Sequence, residues 1–498
     1  MRSGSSLLAV VVLLIGACSA QAASNAPLDR GTAIIDPGTL RELDGGRFGL
    51  TRIMSPARSA ATPLTNEQLF ALPSMAQVAK ALDGDVERYI ERHKAELPNE
   101  SIGVGTGFAF QLFDRAQLYS GDTRFVLSGI VNRMDRAYVA PKNCGEIRLI
   151  YRLTQTNAGA IGEAAVTPRL PMTLNVVLNA KGDGTAITCA EIARRWLAID
   201  SSALDLVRPA NIDRIETNLQ IAHAPKSAVR DFRTDYLMKV FKYDAATAAF
   251  VESPLEDQID RELLLKDDKL AREFKTWLLA PEHFSELDRG TVLIPDKFLA
   301  KRAIAATPVG FVPSDLMPEF GLVAGEGAKP VFTEDDIVGA LEKAAKRGIA
   351  LQNIRSVAGF ARKLNDVTCA GCHQTRGIGG FHFPGVDWMA AKPSNSTVVP
   401  ASPHFFGDQV RRRDIVTAFR DGNAPDFSKG FAARPQLRGS AELAGTEYED
   451  GWGAHCYVQH ARASENDKSF RGWTCAEGLA CEAATSATRI GMCFVKTR

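Results

Sequence analysis

Cys369-Ala370-Gly371-Cys372-His373 is the only C-x-x-C-H in the chain, and no other feature restricts its surroundings as strongly. Two thiols with a two-residue spacer, followed directly by an imidazole, form the pattern of a covalent haem attachment. The thiols of Cys369 and Cys372 would make thioethers to the vinyl groups of the ring, and His373 would be the proximal iron ligand. The short spacer keeps all three groups on one side of a flat macrocycle. The expectation is therefore one covalent haem c, with the chain folded around it.

The N-terminus fits that expectation. Arg2 precedes an apolar run from Leu7 to Ala17, followed by small residues, which is the layout of a secretory signal peptide over residues 1–22. Ala20-Gln21-Ala22 offers an ordinary cleavage site, and Leu14-Ile15-Gly16-Ala17-Cys18 resembles a lipobox that would place a lipid anchor on Cys18. Either route exports the chain, so the expected location is periplasmic or secreted, with an outer-membrane lipoprotein as a variant. No later stretch is apolar enough to span a bilayer. A net charge of +1 gives no electrostatic reason to expect nucleic acid as a partner.

Export also decides how the cysteines read. Nine are present. With Cys18, Cys369 and Cys372 set aside, Cys144, Cys189, Cys456, Cys475, Cys481 and Cys493 remain, an even set that in an oxidising compartment implies three disulfides. Cys144 and Cys189 stand far from the others and are expected to pair. The last four allow three connectivities. Zinc is the competing reading for them, but they lack paired C-x-x-C knuckles.

Periodicity divides the chain into an α+β arrangement. Residues 23–65 read as a leader and 66–330 as a domain in which helices flank a sheet. A helix is expected over 66–96, where Leu69, Leu72, Val78, Leu82, Val86 and Ile90 fall near helical spacing. Strand-like runs follow at Arg124–Val131, Glu146–Leu153, Met172–Leu178 and within 231–252, with helices at Cys189–Ala198 and 260–280. Residues 331–450 form the haem region. Thr333 with Asp336 opens a helix as a capping box, and a second helix over Leu351–Leu364 leads into the C-x-x-C-H. Asp408–Arg420 reads as one more helix, and residues 451–498 as a small cysteine-stapled module.

The reactivity of a haem depends on its sixth ligand. His404, Met389 and His382 are the downstream candidates, and each could equally be packed core. A Met or His ligand would make an electron carrier, whereas an open position would admit a small molecule. Asn132-Arg133-Met134-Asp135-Arg136 and Asn143-Cys144-Gly145-Glu146 read first as surface salt bridging, with a cleft wall as the alternative. Arg411-Arg412-Arg413 reads as a solvated helix face, with docking of an acidic partner as the sharper role.

Thr368–Gln374 with the helix before it resembles the haem-binding motif of the cytochrome c superfamily. The wider chain resembles an uncharacterised family of large secreted proteobacterial proteins. The shared stretches are Val131-Asn132-Arg133, Asn143-Cys144-Gly145-Glu146, Gly380-Phe381-His382-Phe383, Ser402-Pro403-His404-Phe405 and the Gly-Trp and Cys pattern of the tail. These resemblances imply an N-terminal sheet-and-helix domain, a mostly helical cytochrome c-like segment and a disulfide-rich C-terminal module. The haem motif implies a haem and no particular reaction; from the ligation itself the expected function is that of an exported monohaem carrier of single electrons with a redox partner protein. Two other readings stand beside it. One is a haem-dependent oxidoreductase, with chemistry at an open iron or in the α+β domain. The other is a secreted binding or structural protein whose C-x-x-C is a disulfide.

Overall fold

The computed structural model describes residues 31–56, 63–156, 169–182, 184–198, 202–224, 233–308, 322–323, 330–370 and 408–429, and three strands between 455 and 495. Its strands are β1 (Ala33–Ile34), β2 (Ile102–Val104), β3 (Phe110–Leu112), β4 (Thr123–Arg133), β5 (Glu146–Gln155), β6 (Arg169–Asn179), β7 (Ile212–Ala224), β8 (Arg233–Asp244), β9 (Ala249–Ser253), β10 (Ala303–Pro308), β11 (His455–Tyr457), β12 (Leu479–Glu482) and β13 (Ile490–Val495). Its helices are α1 (Pro37–Gly45), α2 (Leu50–Met54), α3 (Asn66–Phe70), α4 (Ala76–Glu96), α5 (Cys189–Leu197), α6 (Arg261–Lys266), α7 (Asp268–Leu278), α8 (Pro281–Arg289), α9 (Glu334–Lys346), α10 (Val357–Asp366) and α11 (Gln409–Arg420).

The fold is α+β. Strands β4 to β9 form an antiparallel meander. The β1 strand flanks β4, β10 shares the outer edge of β8 with β9, and β3 extends the edge of β7. Alternation along the strands gives the sheet two unlike faces. One carries Phe125, Leu149, Tyr151, Leu174, Val176, Ile215, Leu219, Leu237 and Phe241, packed against Leu40 of α1, Ile53 of α2, Val78, Leu82 and Val86 of α4, and Trp196 of α5. The other carries Glu146, Arg148, Arg152, Thr173 and Asn175, which are nonetheless buried. An antiparallel sheet commonly leaves its polar face in water; here other parts of the chain cover it.

A second core lies in the helical part, where Phe274, Leu278, Phe284, Leu287, Phe332, Ile337, Phe360 and Leu364 pack together. Asp288 orders the approach to α10. Its carboxylate accepts from the backbone N–H groups of Gln352, Asn353 and Ile354 at 2.7–2.8 Å. Ser356 then caps α10 by accepting from Gly359 N–H.

Most elements lie where the sequence places them, with instructive differences. The helix expected over 66–96 is divided between α3 and α4 because Pro73 opens a separate 3-10 turn, proline being suited to a first helical turn and not to an interior. Residues 31–56, expected within the leader, instead form β1, α1 and α2, with Leu40 and Phe48 buried. The capping box at Thr333 and Asp336 is present in full. The segment 351–364 is helical only from Val357. Strand β7 is an addition to the expected set.

Cys144 and Cys189 form a disulfide, with Cα atoms 5.4 Å apart. It ties the turn before β5 to the start of α5. In the tail, β13 pairs with both β11 and β12, and the register sets Cys481 opposite Cys493. Cys475 and Cys18 lie outside the described residues.

Cys144→Ala with Cys189→Ala opens a loop of 45 residues and is expected to cost about 3–4 kcal/mol. Thermal unfolding of the exported double variant, read beside the parent, checks it; an unchanged midpoint would contradict a structural role.

Candidate functional site

The polar face of the sheet carries a buried ionic network centred on Glu146. Gly145 (φ +91°) sets its start, because a Cβ there would lie 2.4 Å from the carbonyl oxygen of Arg133. Only glycine combines that approach with a left-handed backbone at no steric cost. Glu146 accepts from Arg148 at 2.9 and 3.1 Å and from Arg214 at 2.8 Å, and pairs with Arg136 at 3.1 Å. Glu216 is shared by Arg148 at 2.7 Å and Arg214 at 2.9 Å. Burial works to raise the Glu146 carboxyl, but Arg136, Arg214 and Arg148 outweigh it and hold it well below the ordinary carboxylate range.

A second ionic cluster continues from the end of β4. Arg133 forks onto Asp135 at 2.7 and 3.0 Å. Arg411 bridges Asp135 at 3.1 Å to Asp408 at 2.6 Å, and Arg412 reaches Asp408 at 2.9 Å. These contacts pin α11 to the sheet domain. They also correct two expectations. The Arg133–Arg136 and Cys144–Glu146 stretches are buried, not surface salt bridges. Arg412 is 1% exposed and Arg411 is largely buried, so the arginine triplet is not simply a solvated face. Short carboxylates at Asp135 and Asp408 supply the partners that make this burial tolerable.

A cavity of about 530 Å³ opens on the polar face. Its wall includes Arg136, Glu146, Arg148, Asn175, Arg214 and Glu216 from the sheet side, Leu293 and Ile294 after α8, Lys363, Thr368 and Cys369 at the end of α10, and Lys429. Cys369 therefore reaches the cavity at the point where α10 ends. Its Sγ lies 3.8 Å from the carbonyl oxygen of Glu256, and Ala370 N–H donates to Gln258 Oε1 at 3.0 Å. Met238, Val240, Leu255, Ala303 and Ala305 pack around Cys369 and Ala370. The wall beside the thiol is thus apolar, and the sheet floor is ionic.

Asp257 stands between those two anchoring residues. It adopts φ +58°, a left-handed conformation that Asp tolerates better than most side chains, and its Oδ1 accepts from Ile294 N–H at 3.0 Å. Burial, with Glu256 adding to it, pushes its carboxyl up to about 8. Lys429 moves the other way: burial, then Arg411 and Arg136, brings its ammonium down to about 8. A cavity holding two groups displaced towards neutrality in this manner is suited to binding and proton exchange.

Of the residues that the sequence singles out, Cys369 is placed on this cavity, and so are Arg133, Arg136, Asn143 and Glu146, as the cleft-wall alternative had it. Cys372, His373, His382, Met389 and His404 lie outside the described residues. Among the described residues no three or more His, Cys, Asp or Glu are grouped to hold a metal ion, and no helix is long and apolar enough to cross a membrane. The Glu256–Gln258 turn, Lys363 and Lys429 escaped the sequence reading. Glu256 and Cys369 are 113 positions apart, and no local pattern joins them.

A covalent haem is compatible with this setting. The thiol that would anchor it meets an apolar wall suited to a macrocycle, and the same cavity holds arginines and lysines suited to carboxylate side groups. Comparison with protein-family models, with curated proteins and with solved structures finds no match.

Glu146→Gln removes the shared anion and leaves three buried arginines short of charge. It is expected to cost about 3–5 kcal/mol, read as a lowered denaturant midpoint. The stability that Glu146 gives is present above its ordinary value of 4.5 and is lost as pH falls towards the depressed folded value; the parent should lose stability down this window and the variant much less. Asp257→Asn has the opposite sense. Stability from the raised carboxyl is full below 3.8 and lost as pH rises through about 8, so the variant should gain on the parent across that window. Parallel titration curves for variant and parent would refute the assignment.

Proposed function

We propose that the chain is an exported monohaem c-type protein, in which Cys369 and Cys372 anchor the haem and His373 is the proximal ligand of its iron. The supporting observation is the position of Cys369, whose side chain lines a cavity of about 530 Å³ between an apolar wall and an ionic floor. That volume is within the range of cofactor sites, which are concave and carry a few placed polar groups. When bound, the haem supplies one-electron chemistry through its Fe(III)/Fe(II) couple.

The chain's own residues have separate tasks in this reading. Gln258 holds the backbone at Ala370 through its hydrogen bond, and the Glu256 carbonyl borders the sulfur of Cys369. Met238, Val240 and Leu255 exclude water from the anchor. Glu146 and its arginines keep the floor charged yet internally neutralised, so that a carboxylate arriving there meets donors already held in place. The α9–α10 segment is the helical haem region, and residues 451–498 are the disulfide-rich module. The N-terminal signal exports the chain to the periplasm or beyond, with or without lipid on Cys18, and a redox partner protein exchanges the electron. The distal ligand is drawn from His404, Met389 and His382.

One observation favours a second reading. The cavity also holds Asp257 and Lys429, two groups tuned near neutral pH, which a simple electron carrier does not need. An oxidoreductase would use them on a substrate held beside the haem.

The test is a haem stain of the denatured protein, after export from a host with c-type maturation machinery, with a pyridine haemochrome spectrum. Covalent haem at one per chain, lost in Cys369→Ser with Cys372→Ser, is the expected result. A folded, exported protein without haem would leave the C-x-x-C as a disulfide and end the proposal.

A further inference from the structure

The ionic groups of the cavity are unequally satisfied. Arg133, Arg136, Arg148 and Arg214 each have a carboxylate partner. Lys429 does not. Among the described residues its ammonium meets the Tyr138 hydroxyl at 3.2 Å and stands 5.4 Å from the centre of the Tyr138 ring, with no carboxylate in ion-pair range. The backbone holds it there: Lys429 N–H donates to the carbonyl of Arg289, and its own carbonyl accepts from Lys363 Nζ at 2.6 Å. Asp257 and Asp135 act on it only at longer range, and an ammonium drawn from water without a direct partner is costly.

Tyr138 adds a second donor. Its hydroxyl accepts from Lys429, which leaves its own O–H to give, and burial raises its pKa, so that the hydroxyl stays protonated. Elsewhere on the same wall Asn175 is 7% exposed and its Oδ1 has no hydrogen-bond partner. Thr217 Oγ1, on the same wall, is likewise without a partner. One corner thus offers a cation with no direct ion-pair partner among the described residues, though Asp257 and Asp135 act on it from further off, with a hydroxyl donor beside it; the buried Asn175 oxygen is without a hydrogen-bond donor.

We infer that the Lys429–Tyr138 corner receives the carboxylate of an organic acid. A charge-assisted contact from Lys429 with a hydrogen bond from Tyr138 is the recognition such an anion requires. The carboxylate has two possible sources. It is a propionate of the haem anchored at Cys369, in which case the inference rests on the haem reading, or it is a free acid bound as substrate or effector, in which case it does not.

The experiment is calorimetric titration of the exported full-length protein with succinate, and with succinamide as the uncharged control. It is run on the protein as matured and on Cys369→Ser with Cys372→Ser. Succinate binding to the matured protein, absent with succinamide, weakened tenfold or more by Lys429→Gln and retained by Lys429→Arg, identifies a free acid. Binding confined to the double serine variant identifies a haem propionate as the normal occupant; Lys429→Gln should then shift the haem midpoint potential, and Lys429→Arg should restore it. If the matured protein carries no haem, succinate binding still reads the corner on its own. No binding to either form, with a cooperative unfolding transition showing that each is folded, overturns the inference, as does binding that Lys429→Gln leaves unchanged.

Discussion

Glu146 is the residue on which the site depends. It sits at the first position of β5, behind a glycine that no other residue could replace without displacing β4, and it holds three arginines from three separate segments. Taking one carboxylate and three guanidinium groups out of water is unfavourable, and only dense mutual pairing makes it tolerable. Glu216 and Glu256 supply the remaining charge. A hydrophobic face would have been simpler and at least as stable. The ionic arrangement produces a floor whose donors and acceptors are held by mutual pairing, which is useful where a charged molecule must be bound.

That floor needs a cover, and the C-terminal half of the chain provides part of it. The Asp135–Arg411–Asp408–Arg412 cluster fixes α11, while Asp288 fixes the entry to α10. Lys363 on α10 and Lys429 beyond α11 meet through a single hydrogen bond. The end of α10 then delivers Cys369 to the cavity, where Glu256 and Gln258 receive it. In the proposed function, the segment that anchors the haem is built into the sheet domain instead of forming a separate carrier joined by a linker. The sheet would then shape the surroundings of the haem, its charge and its access to small molecules.

The sequence was most legible where one face is apolar. Strands β4, β5 and β6 stand within three residues of their expected limits, because Val, Ile, Leu and Tyr alternate along them. The Cys144–Cys189 pairing followed from the isolation of those two residues. Strand β7 was missed because Asp213, Arg214, Glu216 and Asn218 make it look solvent-bound; the partners that Arg214 and Glu216 find in Glu146 and Arg148 on β5 are invisible locally. The burial of Arg411 was hidden likewise, because its second partner, Asp135, is far away in sequence. C-x-x-C-H marks a place in the chain, but the sheet side of the cavity that Cys369 lines comes from residues more than a hundred positions away. Pro73 and Ser356 moved helix boundaries through local turn and cap chemistry that hydrophobic periodicity does not register.

The central claim is that Cys369 carries a macrocycle. The most direct measurement is the intact mass of the exported, denatured protein before and after treatment with a thiol-alkylating reagent under reducing conditions, with the peptide containing residue 369 identified after digestion. The account predicts a chain heavier by one haem, with Cys369 and Cys372 both closed to alkylation and the added mass on their peptide. A chain of unmodified mass in which both cysteines alkylate after reduction would contradict it.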